Sequence, residues 1–292
     1  MRSASHLRLG WLVAGWLAAT ATATSTGQDR PQPPADKPAE ASPAPTPTPA
    51  PAPTDKPAEA TTKREVPPPA PSATAPAPRP GAWMRQHEAF LERARKGNID
   101  LLFLGDSITA GWTNARDVWT RSYGPRQAAN FGIGGDRTQH ILWRLDNGEV
   151  DSIHPKVVVL MIGTNNLGSN AEAEIAEGVR AILDRLHAKV PETKVLLLGI
   201  FPRGSNRDKT VPSVPPDPRI ARINARLAAF DDAKLVKYLD IGVAFLDDAG
   251  KVSRTNMPDF LHLTPAAYQT WAEAMEPTLW KLLDEKNGTP GS

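Results

Sequence analysis

From Trp83 onward the chain alternates short apolar runs with stretches of helical periodicity, and nothing else in it constrains the fold as strongly. Residues 157–162 are the clearest case. They are continuously apolar, lie between Pro155 and Gly163, and so read as a strand buried on both faces. Further strands are expected at 99–104, 128–131, 195–198 and 235–239, with helices at 83–95, 138–145, 171–189, 218–230 and 265–283. In the middle helix Ile175, Val179, Ile182, Leu183 and Leu186 make one apolar stripe. Strand–helix alternation implies an α/β fold with a parallel sheet covered on both faces, a three-layer α/β/α sandwich.

Ahead of this body the composition changes. Arg2 and Arg8 precede an apolar stretch at 9–19, and Ala-Thr-Ala-Thr-Ala follows at 19–23, the pattern of a secretory signal peptide over residues 1–23. The apolar stretch is shorter than the roughly 20 residues that span a bilayer. A cleaved leader is therefore expected over an N-terminal membrane anchor, which places the mature protein in a secreted or periplasmic compartment without stable membrane insertion. Residues 24–82 are rich in Pro, Ala and Thr and repeat Asp-Lys-Pro-Ala-Glu-Ala at Asp36 and Asp55, as a disordered linker would. The folded domain is expected over 83–287. The chain has no cysteine, which excludes disulfides, thiolate metal sites and a cysteine nucleophile. Its formal charge of +2, with no basic block, gives no reason to expect a nucleic-acid partner.

The chemically distinctive residues fall just after the expected strands. Ser107 follows the first, Gly132, Gly134 and Gly135 follow the second, and Asn165 and Asn166 follow the third; Asp259 and His262 precede the last helix. A parallel sheet gathers its strand ends at one edge, where ligands bind. A serine hydroxyl needs a base to attack a carbonyl, and the base needs a partner to hold its tautomer. Ser107, His262 and Asp259 supply these roles. The tetrahedral intermediate needs preorganised donors; the candidates are the amides of Ser107 and Gly135, with Gly134 competing, and the Asn165 side chain. Taken singly, each feature has a plainer reading. Gly-Asp-Ser can start and cap a helix, the glycines can form a tight turn or a phosphate loop, the asparagines can form turns, and His262 can be a surface histidine. His87, His140, His154 and His187 show no ligand spacing.

Four blocks carry a family resemblance: GDSIT at 105–109, NFGIGGD at 130–136, GTNN at 163–166 and DFLH at 259–262. They resemble the Ser, Gly, Asn and His blocks of the SGNH hydrolases in the GDSL lipase and esterase superfamily. The longer phrases NFGIGGDRTQHILWRLDNGE, VVVLMIGTNN, LLLGIFPRG and DFLHLT are similar to the catalytic subunits of platelet-activating factor acetylhydrolase IB. Asn166 replaces the Asp usual in the third block, a substitution shared with that branch. The resemblance implies a flavodoxin-like sheet of about five strands, no metal and no organic cofactor. It carries over Ser107, Gly135, Asn165, Asp259 and His262 by position.

Ile108, Thr164 and Leu261 adjoin these groups and are expected to wall a small acyl pocket suited to acetate, unless they point into the core. The expected activity is a serine esterase on short-chain acetyl esters, with an acetylated glycan as substrate for an exported enzyme. Three other readings stand beside it: a lipid esterase of the acetylhydrolase or lysophospholipase type, a non-catalytic glycan-binding module stacking sugars on Trp112, Trp119 and Trp143, and a flavodoxin-like nucleotide binder.

Overall fold

The strands that build the sheet are short and apolar, and their order decides where a site can form. The computed structural model describes residues 72–205 and 210–284. The expected leader, the greater part of the expected linker and the last residues of the expected domain lie outside them. In chain order the elements are α1 (Ala82–Arg95), β1 (Leu101–Gly105), α2 (Ser107–Ala110), α3 (Arg116–Tyr123), β2 (Ala128–Gly132), α4 (Thr138–Asp146), β3 (Val157–Met161), α5 (Glu172–Lys189), β4 (Lys194–Leu198), β5 (Ser213–Val214), α6 (Pro218–Ala228), β6 (Val236–Leu239), β7 (Val252–Ser253) and α7 (Pro265–Leu282).

Five strands form one parallel sheet in the order β2-β1-β3-β4-β6. This is the flavodoxin-like arrangement, whose strand order reverses between β1 and β3 and opens a crevice at their carboxyl ends. β1 and β3 are buried along their whole length, and alternate residues feed two cores. Leu102, Leu104, Val158 and Leu160 face Ile141, Leu145, Ile175, Val179 and Ile223 from α4, α5 and α6. Leu101, Phe103, Val159 and Met161 face an aromatic layer that includes Trp112, Tyr123, Tyr268 and Trp271. The three-layer sandwich expected from the alternation is the one observed.

Some elements had no counterpart in the sequence reading. α3 is only eight residues long and buries Val118 and Tyr123, too few positions to establish a helical period. β5 and β7 pair antiparallel over two residues each, below any periodic signal. Trp112 is 1% exposed among the rings of Phe103, Tyr123, Tyr268 and Trp271. Trp143 packs instead on Trp83 and His87 of α1. Of the three tryptophans expected as stacking surfaces, Trp112 and Trp119 share one cluster, with ring centroids 5.7 Å apart, and Trp143 belongs to another.

Ordered packing also begins ahead of Trp83. The carbonyl of Ala73, a residue 1% exposed, accepts from Thr138 Oγ1 at 2.7 Å, and Ala77 N donates to Gln139 O at 3.1 Å. An added Cβ on Gly178 of α5 would lie 2.8 Å from the Ala73 carbonyl, so the glycine makes room for this segment. Residues 72–81, which composition groups with the linker, are thus held on the domain by backbone hydrogen bonds that composition cannot register. Among the described residues no helix is long and apolar enough to cross a membrane.

Candidate active site

Ser107 is the first residue of α2, directly beyond β1. Asp106 caps that helix by accepting the Ile108 amide at 2.9 Å. The helix-cap reading and the nucleophile reading thus describe neighbouring residues of one turn. At the end of β2, a Cβ on Gly132 would lie 2.3 Å from Ala110 N, so α2 sits against the strand end only because no side chain intervenes.

His262 reaches Ser107 from the far end of the sequence. Its Nε2 lies 2.9 Å from Ser107 Oγ, and its Nδ1 lies 2.6 Å from Asp259 Oδ2. With Nδ1–H donated to the carboxylate, Nε2 keeps its lone pair and accepts the serine hydroxyl. Asp259 Oδ1 also accepts the amides of Leu261 at 3.1 Å and His262 at 2.7 Å, which fixes the loop. Burial opposes the charge on Asp259, but the hydrogen bonds from His262 and Leu261 outweigh it and hold the carboxyl below its usual range. Between them Phe260 has φ 61° and is fully buried, with the Arg254 guanidinium over its ring. That left-handed step is uncommon for an aromatic residue and turns Asp259 and His262 toward the same point.

The glycine loop forms a β-turn over residues 133–136, closed by Asp136 N donating to Ile133 O at 3.1 Å. Gly135 occupies its third position with φ 77°, the value a type II turn requires. Gly134 lies beside the serine: a Cβ there would be 3.9 Å from Ser107 Cβ. Asn165 donates one Nδ2 hydrogen to Asp136 O at 2.9 Å, leaving its other hydrogen unassigned. Asn166 is buried; its Oδ1 accepts Thr138 N at 3.1 Å, and its Nδ2 lies 3.1 Å from Gln139 Oε1 and 3.0 Å from Asn170 Oδ1. A carboxylate could not donate in this position. That accounts physically for Asn at the end of the third block.

Of the expected pocket residues, Ile108 and Thr164 are buried and Leu261 is half-buried against the aromatic core. Arg203 donates to the Thr164 carbonyl at 3.2 Å and lines a cleft of about 740 Å³ with Leu167, Gly204 and Arg219. A second cleft, of about 480 Å³, lies by edge strand β2 between Phe90, Trp112 and Trp119. None of the expected catalytic, oxyanion or acyl-pocket residues lines it.

A buried charged cluster beneath the glycine loop escaped the sequence reading. Asp136, Arg144 and Glu149 are each 0% exposed. Arg144 donates to Asp136 Oδ2 at 2.6 Å, and also to Glu149 and to the Phe131 carbonyl. Trp83 Nε1 donates to Asp136 Oδ1 at 2.6 Å. Burial raises both carboxyls above their usual range against the pull of Arg144. The signal available in sequence was an arginine sharing the apolar face of α4 with Ile141 and Leu145. His140 is pushed down to about 4 by burial and by Arg79, Arg137 and Arg144, so it is neutral and accepts Arg137 N at 3.0 Å.

Residues 103–270 match the GDSL-like lipase/acylhydrolase family. The chain belongs to this family. It is 38% identical over 204 residues to platelet-activating factor acetylhydrolase IB subunit alpha2 of Gallus gallus, covering 70% of this chain and 86% of that protein. It is 34% identical over 213 residues to subunit alpha1 of Homo sapiens, covering 72% and 89%. Its fold resembles that of a Bacteroides fragilis protein described as an acylhydrolase, with TM-score 0.56 and 20% identity, covering 67% of this chain and 96% of the other. This member of the GDSL family is a carboxylic ester hydrolase.

Proposed function

We propose that this GDSL esterase hydrolyses short-chain acetyl esters through Ser107, His262 and Asp259. The observation carrying the proposal is the relay in which His262 bridges Ser107 Oγ at 2.9 Å and Asp259 Oδ2 at 2.6 Å. Ser107 Oγ bonds to the ester carbonyl carbon while its proton passes to His262 Nε2. Asp259 holds the imidazole and stabilises its charged form. The carbonyl oxygen becomes an oxyanion and receives hydrogen bonds from the amides of Ser107 and Gly135 and the unassigned Nδ2 hydrogen of Asn165. Collapse breaks the bond to the alcohol oxygen, which takes the proton from His262. Water then repeats the sequence on acyl-Ser107 and releases the acid.

Ile108, Thr164 and Leu261 wall the acyl side. Ile108 belongs to the aromatic core and Leu261 packs against it, so this side offers little open surface and only a short acyl group such as acetate is accommodated there. The reading of residues 1–23 as a leader makes the enzyme secreted or periplasmic, a setting in which acetylated glycan is the accessible substrate. Turnover of nitrophenyl acetate, butyrate and octanoate tests the acyl side, and faster octanoate hydrolysis removes the small pocket. Ser107→Ala should fold normally and lose at least roughly a thousandfold in turnover; retained activity rejects the mechanism.

A second reading, a lipid esterase acting on phospholipid-type acetyl esters, is favoured by the identity to the acetylhydrolase subunits. Acetate release from acetylated xylan and from a phospholipid analogue, measured side by side, separates the two.

A further inference from the structure

The segment that joins the Pro-rich stretch to α1 lies along the loop proposed to hold the oxyanion. Its contacts fall on that loop and on the start of α4 behind it: Arg79 on both Gly134 and Asp136, Ala73 on Thr138, and Ala77 on Gln139. Arg79 Nη1 donates to the Gly134 carbonyl at 2.8 Å and approaches Asp136 Oδ1 at 3.3 Å. Both terminal nitrogens of the guanidinium lie 3.3 Å from where a Gly135 Cβ would stand, so the group lies over the turn with no side chain between.

The peptide linking Gly134 to Gly135 is the central unit of the 133–136 turn. Type I and type II turns differ by a flip of this unit. Both of its residues are glycine, so side chains place little restraint on that flip. A trans peptide is planar, with its C=O and N–H pointing in opposite directions. Whatever grips the Gly134 carbonyl therefore aims the Gly135 N–H.

We infer that Arg79 is a positioning residue of the esterase: by holding the Gly134 carbonyl it locks the Gly134–Gly135 peptide in the orientation that presents the Gly135 amide to the oxyanion. This rests on the proposed Ser107 mechanism. The stretch before α1 is then a working part of the active site. Arg79 acts through the peptide and need not touch substrate.

The test compares wild type, Arg79→Ala, Arg79→Lys and Ser107→Ala in the full chain, with nitrophenyl acetate as a small neutral ester. Removing an oxyanion donor outright lowers kcat by about 10²–10³-fold. Arg79→Ala, which only frees the donor to turn away, should lower kcat by roughly tenfold to a hundredfold with KM within about twofold. Arg79→Lys keeps a donor for the carbonyl and should recover part of the loss. Inactivation by diethyl nitrophenyl phosphate, whose phosphoryl oxygen occupies the same hole, should slow in proportion to kcat. Arg79→Ala with kcat within about twofold of wild type, while Ser107→Ala is inactive, overturns the inference and leaves the esterase mechanism standing. So does a loss that the lysine does not relieve, or one that appears in KM alone. If Ser107→Ala keeps full activity, the mechanism itself fails and the inference falls with it.

Discussion

Replacing Arg144 by methionine tests how the glycine loop is supported. The substitution keeps much of the side-chain bulk but removes the cation that Asp136 and Glu149, both 0% exposed, share, and with it the donor to the Phe131 carbonyl. Asp136 retains Trp83 and the more exposed Arg79, whereas the charge on Glu149 is left without its ion-pair partner. Removing one partner of a buried ion pair costs about 3–5 kcal/mol. For a domain of this size that corresponds to a fall in Tm of roughly 6–20 °C. The loss should depend on pH. Both carboxyls already titrate above their unfolded-chain values of 3.8 and 4.5 because burial penalises the ions. Without the arginine they rise further. A raised carboxyl pKa leaves stability intact below the unfolded value and withdraws it as pH climbs through the folded value. The gap between variant and wild type should therefore be smallest near pH 4 and largest near pH 8. Thermal unfolding followed by circular dichroism across that range provides the measurement, and Arg144→Met/Glu149→Gln should recover part of the loss at pH 8. A gap under about 1 kcal/mol at pH 8, or one constant with pH, would refute the view that the glycine loop rests on a buried charge cluster.

Three further outcomes are expected. Asn165→Ala should lower kcat by about 10²–10³-fold with little change in KM or Tm, and steady-state kinetics showing normal kcat would exclude its side chain from the oxyanion site. Burial pushes Asp106 up to about 7 from 3.8, so ionising it in the folded chain carries a cost that is absent below the lower value and fully felt above the higher. Asp106→Asn, which keeps the cap acceptor, should therefore gain more than about 1 kcal/mol over wild type at pH 8 and nothing at pH 4; equal gaps in denaturant melts at both pH values would contradict this. Gly132→Ala would place a Cβ 2.3 Å from Ala110 N, so either α2 or the end of β2 must shift. It should lose about 1–3 kcal/mol in urea unfolding. Fluorophosphonate labelling of Ser107 should also slow, and an unchanged rate would show that α2 absorbs the shift elsewhere.

Much of the sheet was legible because a doubly covered parallel strand must be apolar along its length, and 157–162 announces itself that way. The catalytic-type residues were legible for a related reason: in a parallel sheet, groups that follow strands share an edge. Asp259 and His262 lie close in sequence and declare their pairing. The supports of the loop were not legible. Arg79 lies in a stretch whose composition reads as linker, and its contact with the Gly134 carbonyl spans 55 positions. Arg144 on the apolar face of α4 hinted at a buried charge but could not name Asp136 and Glu149 as its partners.

Local patterning by itself determined the alternation of elements and the residue types available for acyl transfer, since both follow from periodicity and side-chain chemistry within short windows. Distance and direction were decided only by the tertiary structure. The positive φ of Phe260, the absence of a side chain at Gly132 and the grip of Arg79 on a carbonyl each depend on neighbours remote in the chain. Such neighbours meet only when the sheet closes its order between β1 and β3.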